Sequence, residues 1–155
     1  MVSRTIFSVG SSNRTWEEFL GLLKRYGVEM LADVRRFPQS SRFEHFTREK
    51  LEGALKEAGL GYIFLGEELG GFRKEGYQAY VTTPSFLEGI SRLEGIAKEA
   101  RTAFVCAERL PWRCHRRFIG FELAKRGWEV IHLIDEGRIW TLEPHFFLDA
   151  KDSMV

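Results

Sequence analysis

The sequence predicts a single α/β domain, a Rossmann-like three-layer arrangement with a mostly parallel sheet of about five strands and helices on both faces. Three observations carry this. Short apolar runs of strand length alternate with segments whose apolar residues recur at helical spacing, the pattern of βαβ units with right-handed crossovers. At 155 residues, 44% of them hydrophobic, the chain is long enough for one sizeable core and short for two. No repeat, low-complexity tract or linker divides it, so residues 1–155 read as one domain, with a core over 5–142 and a polar tail over 143–155.

Taken in order, Thr5 to Val9 reads as a buried strand. Thr15 opens a helix through a capping box with Glu18, carries Phe19, Leu20 and Leu23 on one face, and stops at Gly27. Met30 to Val34 is the second strand; Thr47 caps a second helix with Leu51, Leu55 and Ala58 on one side and Gly59 at its end. Tyr62 to Leu65 is the third strand. Gly66 to Thr82 holds four glycines, mixed charge and aromatic residues with no sustained period, a long connection of the kind that forms lids and binding loops or bland surface excursions. Thr83-Pro84 starts a helix carrying Phe86, Leu87, Ile90, Leu93 and Ala97. Thr102 to Cys106 is the fourth strand, Arg113 to Arg126 a helix closed by Gly127, and Val130 to Ile134 the fifth strand. Asp135-Glu136-Gly137 then turns into a last short strand at Arg138 to Leu142.

Several functional classes drop out. No apolar run approaches the ~20 residues that span a bilayer. The first residues enter a strand without the order of charged leader, apolar segment and cleavage site, so the chain is expected to be cytoplasmic. Two cysteines do not make a disulfide framework. The net charge of +1 excludes a generally sticky polycation, but it hides segregation. Arg109 to Arg126 holds six basic residues against one acidic, and Arg35 to Lys50 five against two.

In open parallel sheets the ligand crevice lies beyond the carboxyl ends of the strands, where the strand order reverses. Three segments meet that test: Gly10-Ser11-Ser12-Asn13, Asp33-Val34-Arg35 with its extension to Pro38, and Cys106 through Arg117. The last joins two thiols, an acid, an imidazole and four arginines at a strand-to-helix turn, where helix amides favour an anion and lower the pKa of a nearby thiol. Cys106, Glu108 and His115 are the candidate catalytic groups. Gly10, Ser11, Ser12, Asn13, Asp33, Arg35, Arg42 and Arg116 are the candidate anion-binding groups, with Asp33 able to orient an arginine or only to cap a turn. A divalent metal ion is the cofactor to consider, with Cys106, Cys114 and His115 as candidate ligands, although Cys-x7-Cys-His is a weak zinc signal. A reversible Cys106–Cys114 disulfide ranks below it. His132, inside an apolar strand, reads as a hydrogen-bonded core histidine; His45 is ambiguous, and His145 receives no role. From Arg35 to Phe46 basic and aromatic residues interleave, which suits single-stranded nucleic acid or merely anchors a loop. No GxGxxG or GxxxxGK[ST] supports a dinucleotide or P-loop reading.

Together, Thr5 to Asn13, Asp33-Val34-Arg35 with Pro38 and Ser41-Arg42, Leu69-Gly70-Gly71, and Cys106-Ala107-Glu108 through Cys114-His115-Arg116 resemble the bacterial and archaeal family catalogued as domain of unknown function 488. The resemblance implies a Rossmann-like domain in which Cys106, Glu108, Cys114, His115 and Arg116 face one shared site. Where many relatives carry Gly-His-Ser-Asn, this chain has Gly10-Ser11-Ser12-Asn13, so a scheme needing that histidine does not transfer. Three functions follow: an enzyme acting on a phosphate-bearing substrate such as a nucleotide or nucleic acid, a non-catalytic module for nucleic acid or an anionic ligand, or a metal or thiol sensor. The partners expected are an anionic small molecule or nucleic acid, and no membrane.

Overall fold

The computed structural model describes residues 4–39 and 42–142; Ser40, Ser41 and the tail 143–155, with His145, lie outside the described residues. Strands β1 (Thr5–Gly10), β2 (Met30–Asp33), β3 (Gly61–Phe64), β4 (Thr102–Cys106) and β5 (Glu129–Asp135) run parallel, and β6 (Arg138–Leu142) pairs antiparallel with β5. The order across the sheet is β3-β2-β4-β1-β5-β6. The turn at Gly137, φ +78, makes the last pair a hairpin.

The helices are α1 (Trp16–Arg25), α2 (Arg48–Glu57), α3 (Gly66–Leu69), α4 (Tyr77–Tyr80), α5 (Pro84–Glu99) and α6 (Arg116–Lys125). Alternate strand residues face opposite layers. Phe7, Val9, Leu31, Ala103 and Val105 meet Phe19 and Leu23 of α1 and Leu51 and Leu55 of α2. Ile6, Ala32, Phe104 and Val130 meet Phe86, Ile90 and Leu93 of α5 and Ile119 and Leu123 of α6. Each fully buried large side chain contributes about 1.5–3 kcal/mol by leaving water, and Trp128 also donates its indole N–H to Glu94 at 2.9 Å. The chain winds toward β3 after β1 and β2, then toward β5 after β3 and β4. This reversal opens the sheet edge at the carboxyl ends of neighbouring β1 and β4.

Local signals behave as their chemistry requires, with three differences. The Thr15–Glu18 capping box forms in full. Thr47 occupies the cap position of α2, yet its hydroxyl donates to the Glu44 carbonyl at 2.8 Å and caps nothing. The helix expected from Arg113 starts at Arg116, because Pro111–Arg113 forms a 3-10 turn and Cys114 is extended, φ −135 and ψ 155. Gly66 to Thr82 holds the short helices α3 and α4, pinned by Tyr77 and Tyr80 hydroxyls donating to the Leu69 and Glu68 carbonyls at 2.7 Å each.

Candidate functional site

A cleft of about 760 Å³ opens at this sheet edge, lined by the loops after β1, β2, α3 and β4. Its floor depends on close backbone approach. Ser11 and Ser12 donate their amides to the Cys106 and Ala107 carbonyls, both at 2.8 Å. A Cβ on Gly10 would sit 1.8 Å from the Glu108 carbonyl oxygen, so only glycine lets the two loops touch. Ser12 bends the loop at φ +48. Since the Ser11 and Ser12 amides are engaged by the last residue of β4 and the one after it, they are unavailable to a ligand in the cleft.

After β2, Asp33 and Arg35 make a closed pair: Arg35 Nε and Nη2 donate to the two carboxylate oxygens of Asp33, both at 2.8 Å, and the Arg35 amide adds a third bond at 3.1 Å. Arg35 Nη1 donates to the Phe46 carbonyl at 2.6 Å, and the Tyr62 hydroxyl donates to Asp33 at 2.6 Å. Burial and then the Asp33 charge push the Tyr62 hydroxyl pKa well up, so it stays a neutral donor. Arg35 is thereby locked, with its remaining guanidinium N–H groups beside the cleft it lines.

The two thiols differ sharply. Cys106 is fully buried at the end of β4 and does not line the cleft. Its S–H has two acceptors within reach, the Glu108 carbonyl at 3.6 Å and the Cys114 sulfur, and burial pushes its pKa up. Cys114 does line the cleft. Hydrogen bonds from Cys106, from His115 and from the Arg116 amide at the start of α6, together with the His115 charge, outweigh burial and hold Cys114 down at about 4. His115 Nδ1 lies 3.3 Å from Cys114 Sγ, and its Nε2–H donates to the Val34 carbonyl at 2.8 Å. Tyr77 packs on the imidazole at 5.2 Å, and a Cβ on Gly71 would come within 3.2 Å of Nδ1, so the glycine-rich connection holds the ring in place. A thiolate held this way beside an imidazole can attack an electrophile.

Arg116 lies beneath the site. It is fully buried, donates to Ser8 Oγ at 2.9 Å and to the Glu108 and Arg109 carbonyls at 2.8 and 3.0 Å, and leaves its Nε–H without a partner among the described residues. No carboxylate pairs with it among the described residues. Ser8 is also bonded to His132 Nδ1, while His132 stacks on Trp140 at 5.2 Å. Burial, and then the Arg116 charge, push His132 down to about 3, so it is a neutral core histidine.

The cleft therefore brings together Ser11, Ser12, Asn13, Arg35, Arg42, Glu108, Cys114 and His115 of the expected residues. Gly10, Asp33, Cys106 and Arg116 stand behind them as supports. Glu108 is exposed, and its carboxylate bonds to no other described residue. Asn13 accepts from Arg109 at 3.0 Å, and Arg109 in turn pairs with Asp135. His45 donates its Nε2–H to the Arg14 carbonyl at 2.8 Å and lies outside the cleft lining. Among the described residues no three of His, Cys, Asp and Glu are grouped so that they could hold a metal ion. Sequence reasoning missed Phe72 and Tyr77 as cleft residues, and it placed Arg36 and Arg113 in candidate segments without singling them out. The four-glycine connection was the available signal for Phe72 and Tyr77.

Fold and cleft together define a six-stranded, mostly parallel α/β domain with a thiol–imidazole pair among arginines at the switch point of its sheet. Residues 15–121 match the family model described as domain of unknown function DUF488, and the chain belongs to that family. No curated protein and no solved structure matches it. Among the described residues no helix is long and apolar enough to cross a membrane.

Proposed function

We propose that the protein is an enzyme that uses Cys114 as a nucleophile on a phosphate-bearing substrate, a nucleotide or nucleic acid. The observation that carries this is the Cys114 thiol, 3.3 Å from His115 Nδ1 and facing a cleft lined by Arg35, Arg42 and Arg113. These guanidinium groups hold the phosphate, the first through the N–H groups that Asp33 and Phe46 leave over. Cys114 Sγ attacks the phosphorus and forms an S–P bond as the ester P–O bond breaks; the leaving oxygen takes a proton, and water then cleaves the S–P bond to release the phosphate and the free thiolate. His115, engaged on both ring nitrogens, positions and stabilises the thiolate, and Glu108 is the carboxylate available for proton transfer. Cys106 donates to the thiolate and is a positioning residue, while Arg116 supplies buried positive charge.

Alkylation by iodoacetamide, followed by mass spectrometry, tests the core of this reading. Cys114 is expected to react at a roughly constant rate from about pH 5.5 to 8, since a thiol titrating near 4 is already ionised there. Cys106→Ala should move that profile to higher pH by removing the strongest bond to the thiolate. Once a substrate screen yields an activity, Cys114→Ser should abolish it and Glu108→Gln should reduce it by about a hundredfold or more. An alkylation rate that climbs about tenfold per pH unit up to the ordinary thiol value would overturn the proposal, as would full activity in folded Cys114→Ser.

A further inference from the structure

We infer that Phe37 and Phe72 form a nucleobase-stacking ledge at the mouth of the cleft, so that the substrate carries a purine or pyrimidine base next to its phosphate. The inference rests on the reading of the cleft as a nucleotide or nucleic-acid site and assigns the residues that take the base. Phe37 is 64% exposed and Phe72 84%, the two most exposed large apolar side chains among the described residues. Their ring centroids lie 6.2 Å apart with the planes inclined by 34°, and both rings line the cleft. Neither belongs to a core cluster.

Backbone and side-chain detail both hold the rings in this exposed position. Phe72 has φ +58, a left-handed conformation uncommon for a bulky residue. It follows Gly70-Gly71, where a further glycine would relieve the strain. Arg36 bridges the two loops: Nη1 donates to the Phe72 carbonyl at 2.9 Å, and its guanidinium carbon lies 5.4 Å from the centre of the Phe37 ring. Arg42, exposed and 5.3 Å from the Phe43 ring centre, and Gln39 continue the same wall. Aromatic faces open to solvent beside guanidinium groups are the combination that holds bases on a phosphate backbone, the rings taking the base and the arginines the charge. An apolar peptide would leave the arginines unanswered, and an acidic one would leave the rings so.

Fluorescence anisotropy at low salt can test the ledge with labelled oligo-dT, oligo-rU and an abasic deoxyribose-phosphate strand of the same length. The base-bearing strands should bind about tenfold or more tighter than the abasic one. Phe37→Ala and Phe72→Ala should each remove about tenfold from base-bearing binding and leave abasic binding unchanged. Both sites are exposed, so thermal melts should match the unmodified protein. Competition by UMP would assign a free nucleotide as the occupant and its failure a strand; either upholds the ledge. Equal binding of base-bearing and abasic strands would overturn it and leave the phosphate reading standing. An equal loss on both strands in the variants would overturn it too. Absence of binding by every strand would overturn both readings. Base-dependent binding together with a Cys114 of ordinary reactivity would uphold the ledge and overturn only the catalytic proposal.

Discussion

Arg35 after β2 and Arg116 at the start of α6 both serve the same sheet edge, and the protein treats their charges in opposite ways. Arg35 is met by a carboxylate at two points, so its charge is neutralised and the side chain becomes a rigid donor at the cleft. Arg116 is fully buried with a hydroxyl and two carbonyls as its only partners among the described residues, so its charge is solvated by dipoles and remains felt by its neighbours. The consequences are visible in those neighbours: the Arg116 charge adds to burial in keeping His132 neutral, and it pulls against burial at Cys106. A paired arginine fixes geometry; an unpaired buried one sets the local potential.

The largest way to break this contrast is to remove the carboxylate. Asp33→Asn leaves Arg35 charged and buried without its counter-ion, and should cost about 3–5 kcal/mol in urea unfolding, because a stranded charge is the expensive product of splitting a buried pair. Arg116→Met strands no opposite charge. It leaves Ser8 Oγ and two carbonyls short of a donor, so a smaller loss of about 2–3 kcal/mol is expected. If Arg116→Met proves the costlier change, the idea that dipoles suffice for Arg116 fails.

The most gradual effect appears with pH. The folded His132 pKa of about 3 lies below its value in an unfolded chain, so between those two values the unfolded state binds the extra proton. Stability contributed by neutral His132 is therefore complete above about pH 6.5 and is lost as pH falls toward 3, at about 1.4 kcal/mol per pH unit. Comparing unfolding free energies of the unmodified protein and His132→Gln from pH 7 to 4.5 isolates the contribution of His132. The variant should show the shallower slope, and parallel curves would count against a buried neutral histidine.

Much of the fold was legible because its signals are local. The Thr15–Glu18 box, Thr83-Pro84 and the strand-length apolar runs act over a few residues and need no tertiary partner to be read. Thr47 misled for the same reason: its hydroxyl has a nearer acceptor in Glu44, a competition that spacing cannot resolve. In the site, the association of Asp33 with Arg35 followed from their proximity in sequence. The choice between Cys106 and Cys114 did not, because both stand at the same strand-to-helix turn and only burial and hydrogen bonding separate them.

The amino-acid sequence by itself determined the alternation of strands and helices, the edge of the sheet where polar groups collect, and the family, since periodicity and motif order are properties of the chain alone. The tertiary structure decided which thiol meets the cleft, that Arg116 lies under the site rather than in it, and that Phe37 and Phe72, thirty-five positions apart, stand side by side. Those outcomes depend on strand order and on loops converging from distant parts of the chain. Desolvation and charge proximity, which set the roles of these groups, exist only once that convergence has occurred.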